Sequence, residues 1–232
     1  MTVILAFLAL VALAAGWWLS QQHLAAKPWL ETGVAPRAGH GPGQAPGLIF
    51  TGVFVAVMGG LFAMLGSAFV MQIEETPYEL VPLPPRVWLN TALLLLASAC
   101  MQFVVAAART GEPRWLRGSL IAASIASVAF LTGQVQVWTA LTEGGYALNG
   151  APAASFFYLI TGLHGLHVTG GIIALAVICY RQAAGRDVTS LLPGVRACAL
   201  YWHALLAFWL MLFALLQGWG NAFLALCRTA VG

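Results

Sequence analysis

Residues 156–171 read FFYLITGLHGLHVTGG and form the middle of a long apolar segment. No Asp, Glu, Lys or Arg occurs from Ser155 to Tyr180, a stretch longer than the roughly 20 residues that cross a bilayer as a helix. Two histidines, His164 and His167, lie within it. Because imidazole is costly to place in hydrocarbon, the segment predicts a membrane helix whose polar side chains have a specific task.

The whole chain has the composition of an integral membrane protein. Of its 232 residues, 61% are hydrophobic and only 7% are charged, whereas soluble domains carry about 25% charged residues. The apolar runs have the length of membrane-spanning helices and do not alternate in polarity, so they predict helices and not a β-barrel. A net charge of +3 without a basic run or a phosphate-binding loop predicts no nucleic-acid partner and no phosphate chemistry.

Six apolar spans predict an all-α integral membrane protein, a bundle of six transmembrane helices. The spans cover residues 2–20, 48–72, 87–109, 118–142, 153–180 and 197–225. The first span has no positive region before it, so we interpret it as a retained helix and not as a signal peptide. The expected organisation is an N-terminal transmembrane helix (1–20), a Gly- and Pro-rich cytoplasmic linker (21–47) and a five-helix core domain (48–232).

Positive charges are distributed unevenly between the loops. Of the ten Lys and Arg residues, only Arg86 and Arg228 fall on one side of the six-span arrangement, and all the others fall on the opposite side. Loops rich in Lys and Arg stay in the cytoplasm. Both termini are therefore predicted to lie on the periplasmic side of a bacterial inner membrane.

Small residues recur at every fourth position of the fifth span, as Thr161, Gly165 and Thr169. Small residues at this spacing let helix backbones approach closely in lipid. We expect this stripe to form a tight helix contact on a different side of the helix from His164 and His167. The span would then have two interfaces, one tight and one that carries the imidazoles.

Three interpretations of the intramembrane histidines His164, His167 and His203 remain open. A metal ion needs three or four ligands, and these residues supply three at most, with no acid nearby. A b-type haem needs one histidine on each of two facing helices, which His164 or His167 together with His203 would provide. The simplest interpretation is that each imidazole hydrogen-bonds to a neighbouring helix or to a lipid head group. On this interpretation the chain itself holds no catalytic, cofactor-binding or metal-binding residue.

Apart from histidine, the polar side chains well inside the spans are uncharged. The absence of acids and bases there weakens an interpretation as a small-solute transporter. The fourth span contains Gln134 and Gln136, which indicates a helix that is buried among others. Gln134 and Trp138 are four residues apart and share a helix face.

The sequence resembles one known family, on the strength of several motifs together. The stretch from Phe156 to Val168, followed by Gly170 and Gly171, resembles the signature of subunit III of haem-copper oxidases. Further matching residues, in the family's order and at its spacing, are Val87 to Thr91, Gly133 and Gln134 with Trp138, and Tyr201 to His203 with Trp209. The resemblance extends from about residue 48 to residue 220, and its combination of motifs is specific.

The resemblance implies a non-redox accessory subunit of a proton-translocating terminal oxidase, an enzyme that reduces O2 to water. Subunit III of this family has no haem or copper of its own, because these cofactors belong to its partner subunits. It packs mainly against the catalytic subunit I, with subunit II and other small subunits as further partners, binds phospholipid and supports proton uptake. The residues expected at structural, lipid or subunit interfaces are His164, His167, His203, Trp202, Gln134, Trp138, Asn90, Gly165 and Thr161.

The chain departs from the family pattern at particular positions. The family's long form has seven helices, and the first span here would correspond to its second helix, so its lipid-holding cleft would be reshaped. Many relatives carry a glutamate where Met58 stands, and an aspartate where Leu206 follows His203. His203 is therefore expected to need another partner, or a lipid. A subunit III-like protein associated with nitric oxide reductase is the competing assignment within the family.

Overall fold

The computed structural model describes residue 13 and residues 46–75, 82–148 and 152–218. Within these ranges all regular structure is helical. The helices are α1 (Pro46–Glu75), α2 (Arg86–Thr110), α3 (Pro113–Glu143), α4 (Pro152–Ala183) and α5 (Leu192–Leu216), with a short 3-10 turn over Thr189–Leu191. All five have a stretch that is long and apolar enough to cross a membrane.

The all-α membrane class is confirmed for the described part of the chain, with five of the six predicted spans. The predicted first span and nearly all of the linker lie outside the described residues, so a sixth helix stays a prediction. The chain divides into two compact units, Met1–Gly43 and Gln44–Gly232. All the contacts given below belong to the second unit.

Two helices begin earlier than the predicted spans. Helix α3 begins at Pro113 and helix α5 at Leu192, five residues before the spans predicted from 118 and 197. Each has a proline in its first turn, where the missing N–H costs no helical hydrogen bond. Arg114 and Arg117 near the beginning of α3, and Arg196 near the beginning of α5, end the apolar spans of the sequence, although the helices extend further.

Helices α2 and α3 form an antiparallel hairpin with the most extensive contact of any helix pair. Gly111 follows the last residue of α2 and caps the helix. Its φ of 75° is left-handed, and its N–H donates a hydrogen bond to the carbonyl of Ala107. Pro113 opens α3 after a link of two residues. This tight turn holds the two helices side by side and fixes which faces meet.

Helix α4 buries one continuous stripe against the rest of the bundle. Its members are spaced alternately four and three residues apart, and they are Phe157, Thr161, His164, Val168, Gly171, Leu175 and Ile178. The prediction that Thr161 lies on a different side from His164 is therefore wrong, because residues three apart are only about 60° apart around a helix. Thr169 is exposed and Gly165 is half-buried, so the expected small-residue stripe is not a single contact face.

Candidate functional site

His164 is completely buried at the centre of the bundle. Its Nε2 atom lies 3.1 Å from the backbone carbonyl oxygen of Leu205 on α5. Since a carbonyl only accepts, Nε2 carries the proton and donates it, and Nδ1 is the unprotonated nitrogen. Nδ1 is buried without a hydrogen-bond partner among the described residues. His164 thus joins α4 to the backbone of α5 through one bond.

Aromatic rings from three other helices surround His164. The ring centroids of Phe62 on α1, Phe130 on α3 and Trp209 on α5 lie 6.2, 5.7 and 5.1 Å from the imidazole. Trp209 also donates its Nε1–H to the hydroxyl of Thr91 on α2, at 2.9 Å. All five helices therefore meet at this aromatic centre, which is defined by Phe62, Thr91, Phe130, His164 and Trp209.

His167 makes its imidazole bond within its own helix. Its Nδ1 lies 2.8 Å from the carbonyl oxygen of Leu163, one turn back, so Nδ1–H donates. The half-buried ring packs against Phe54 and Phe62 of α1, at centroid distances of 6.4 and 5.6 Å. The hydroxyl of Tyr201 donates to the backbone oxygen of His167 at 2.9 Å. The backbone, and not the imidazole, therefore connects this residue to α5.

Met58, at the position where many relatives carry a glutamate, lies one turn from Phe54 and one turn from Phe62. It is buried, and its two neighbours on α1 both contact His167. The thioether thus belongs to the face of α1 that packs on the imidazole. A methionine fills this space without a charge, which agrees with His167 bonding to its own backbone.

His203 on α5 has both ring nitrogens bonded to α2. Nδ1 lies 2.5 Å from the hydroxyl oxygen of Ser98, and Nε2 meets the amide nitrogen of Gln102. The amide nitrogen donates, so Nε2 accepts and Nδ1–H donates to Ser98. These two side chains, one turn apart on α2, are the partners of His203, so Leu206 does not leave the imidazole unpaired.

A second buried polar contact joins α2 to α3. The amide nitrogen of Asn90 donates to Oε1 of Gln134 at 3.3 Å, and both side chains are buried. A Cβ atom on Gly133 would lie 3.0 Å from Cγ of Asn90 and would overlap its amide oxygen. Glycine at this position therefore makes room for the amide of Asn90, which bonds to Gln134.

The contact between α3 and α4 is built around Trp138. Its Nε1–H donates to the hydroxyl of Thr161 at 3.1 Å, and that hydroxyl donates to the carbonyl of Phe157 at 2.7 Å. The edge of the indole lies 3.6 Å from the place of a Cβ on Gly162. Leu131 covers Gly165 in the same way, at 3.7 Å. A Cβ at either glycine would make ordinary van der Waals contact with α3, so the bond from Trp138 to Thr161 is the specific feature of this contact.

Trp202 is buried against Gly171 of α4. A Cβ on Gly171 would lie 3.1 Å from the rings of both Trp202 and Tyr201. The nine residues predicted from the sequence are thus distributed over several helix contacts and do not form one site. The sequence analysis missed Phe62 and Phe130, which carry no polar signal, and Ser98 and Gln102, whose four-residue spacing within an apolar span was a usable signal.

The arrangement of the histidines does not favour a metal or haem site in the described ranges. No three His, Cys, Asp or Glu side chains gather there at one point. His203 engages both ring nitrogens on α2. His164 keeps only Nδ1 open, inside the aromatic centre. In the described residues the imidazoles of His164 and His203 bond to other helices, and that of His167 bonds to its own.

Comparison with known proteins identifies one family. Residues 47–221 match the family described as cytochrome c oxidase subunit III. The probable cytochrome c oxidase subunit 3 of Mycobacterium tuberculosis is 30% identical over 164 residues, which cover 68% of this chain and 78% of that protein. Cytochrome c oxidase subunit 3 of Synechocystis sp. is 31% identical over 197 residues, with 80% and 82% covered. The subunit 3 of Thermostichus vulcanus is 31% identical over 166 residues, with 69% and 79% covered.

Proposed function

Because the chain belongs to the cytochrome c oxidase subunit III family, we propose that it is the non-redox accessory subunit of a proton-translocating haem-copper terminal oxidase. In this proposal it packs against the catalytic subunit I, with subunit II and other small subunits as further partners. Haem and copper reside in those partners, while this chain stabilises subunit I, holds phospholipid and supports proton uptake. The complex works in the inner membrane of a bacterium, in aerobic electron transport.

The observation that carries the proposal is a polar pair, His203 and Gln102, on the outside of the bundle at mid-membrane depth. His203 lies at the middle of the apolar stretch Thr189–Leu216 and is half-buried, and Gln102 is exposed. The amide of Gln102 has no described partner besides His203. An amide that faces hydrocarbon is costly to leave unpaired.

A transmembrane helix of the catalytic subunit would satisfy this amide with a polar side chain of its own. Interhelical bonds of this kind join helices in membranes. Small exposed residues flank the polar pair, with Ala99 and Ala106 on α2 and Ala207 on α5. They leave room for another helix to approach the backbone closely. We call the surface formed by Ala99, Gln102, Ala106, His203 and Ala207 the docking face.

Affinity purification of the oxidase through a tag on its catalytic subunit tests the proposal. Gln102→Leu should lower the amount of this chain per catalytic subunit about threefold, since one interhelical bond of about 0.6 kcal/mol corresponds to that factor. Thr169→Val is the matched control, because Thr169 is exposed on α4 and bonds only to its own helix at Gly165. The control should be retained at the wild-type ratio.

The same purification contains the outcomes that would contradict the proposal. If wild-type chain does not co-purify with haem- and copper-containing subunits, the proposed function is wrong. If Gln102→Leu is retained like the wild type, the docking face is wrong while the function stands. Loss of haem from the catalytic core in a variant that is still retained would contradict the non-redox role.

A further inference from the structure

A groove of about 410 Å³ opens on the outer surface of the bundle between α2 and α3. Helix α2 contributes Arg86, Leu89 and Leu93 to its walls, and helix α3 contributes Ala129, Thr132 and Gln136. We call it the α2–α3 groove. It lies between the two helices that make the most extensive contact in the bundle.

The α2–α3 groove is polar at one end and apolar at the other. Arg86 is the first residue of α2 and donates a hydrogen bond to Oε1 of Gln136, at 3.2 Å. Leu93 lies two helical turns further along α2, about 10 Å deeper at 1.5 Å per residue. Because α3 runs antiparallel to α2, Ala129 lies at the same deep end.

The polar end of the groove belongs to the membrane–water interface. It is at the beginning of α2, where the exposed Trp88 follows two residues after Arg86. Tryptophan is typical of the head-group region of a bilayer. The apolar end with Leu93 and Ala129 therefore lies toward the hydrocarbon interior. Polarity changes along the groove in the same direction as it does along a lipid molecule.

The donors at the polar end suit a phosphate. A guanidinium has five N–H donors, and Arg86 gives one of its bonds to Gln136. Its remaining donors, together with the amide nitrogen of the exposed Gln136, lie at the mouth of the groove. Arginine binds phosphate oxygens through two parallel N–H bonds, which gives both affinity and orientation.

We propose that the α2–α3 groove binds a phospholipid, with its phosphate at Arg86 and Gln136 and one acyl chain along Leu89 and Leu93. The lipid-holding cleft implied by the family resemblance lies between the family's first two helices and the other five. The α2–α3 groove is a different place, because both of its walls belong to the five-helix core. The proposal names a place for the phospholipid that the proposed function includes, and in that respect it rests on the proposed function.

Native mass spectrometry of the purified, delipidated protein with its partners tests the site. Phosphatidylglycerol is added back, and bound lipid is counted. Arg86→Gln should weaken binding of one lipid molecule about tenfold, the effect of one lost charge-assisted contact. Ala129→Phe keeps the arginine and fills the apolar end, and it should remove the same lipid. Arg109→Gln, on an exposed residue at the opposite end of α2, is the control and should bind as the wild type does.

The source of the phosphate is tested by adding inorganic phosphate to the lipid-bound protein and, separately, to the delipidated protein. It should not displace the bound lipid, because the acyl chain contributes to binding. If inorganic phosphate binds as tightly as phosphatidylglycerol, the lipid proposal is wrong. If Arg86→Gln and Ala129→Phe both hold the lipid like the wild type, the groove is not a binding site.

Discussion

His164 and His203 are both imidazoles within apolar helices, and their surroundings differ completely. His164 is fully buried among aromatic rings and reaches one backbone carbonyl. His203 lies at the edge of the bundle, bonded to two side chains, one of which is exposed to the membrane. The first imidazole holds the interior of this chain together. The second, with Gln102, forms the polar part of the docking face proposed for a neighbouring subunit.

The difference shows which property of a membrane histidine predicts its role. A polar group buried inside one chain is important to that chain's own stability, because its removal leaves a cavity or an unpaired partner. A polar group at the lipid-facing surface contributes little to the isolated chain and more to association. Substitutions of His164 should therefore lower mainly thermal stability. Substitutions of His203 should lower mainly the retention of this chain by its partner subunits.

The largest expected effect is at the aromatic centre. His164→Ala should lower the free energy of unfolding by about 2–4 kcal/mol, since it opens a cavity between three rings and removes the bond to Leu205. Thermal unfolding of the solubilised complex, followed by circular dichroism, measures the change. His164→Leu refills most of the volume and should lose only about 1 kcal/mol. An unchanged melting temperature in His164→Ala would show that the aromatic centre does not stabilise the fold.

A smaller loss is expected at Gly133, a second interior position. Gly133→Ala places a methyl group where the amide of Asn90 lies, and it should destabilise the chain by about 1–3 kcal/mol through overpacking. Adding Asn90→Ala frees the space. The double variant should therefore recover part of the stability lost by Gly133→Ala. A double variant that is less stable than both single variants would contradict this explanation.

The smallest stability effect belongs to the bond between Ser98 and His203. A double-mutant cycle of Ser98→Ala and His203→Ala should give a coupling free energy of about 0.6 kcal/mol, the usual size of such bonds in membrane proteins. Unfolding in a denaturing detergent gives the four required stabilities. A coupling above about 2 kcal/mol would place His203 with the interior residues and remove the contrast with His164.

The sequence predicted the membrane class and, among six spans, the five helices of the described residues, because hydrocarbon imposes a strong length and composition rule. It misplaced the beginnings of α3 and α5, since Arg117 and Arg196 interrupt the apolar runs a few residues after these helices begin. The partner of His164 is a backbone carbonyl. Every residue has such a carbonyl, so no pattern of side chains predicts which one is the partner. For His203 the sequence predicts another partner, or a lipid, without naming it, and the structure supplies two uncharged side chains on α2.

The contact partners of the predicted site residues could not be predicted from the sequence either. The sequence identified Asn90, Gly133 and Gln134 as parts of a family motif, but only the structure shows that the glycine makes space for the amide. The four-residue spacing of Thr161, Gly165 and Thr169 predicted a separate stripe. In the structure Thr161 lies three residues from His164 and shares its buried face. Patterns along one helix therefore indicate which residues are buried, and the partner across the contact is set by packing.

The two-residue link between α2 and α3 has a consequence for how the chain assembles in the membrane. Loop-closure entropy rises with the length of the connection, so this helix pair loses the least chain freedom when it forms. Contacts that are close in sequence also form fastest. We therefore expect the α2–α3 hairpin to form first as the spans are inserted in order, and the later helices to dock on it.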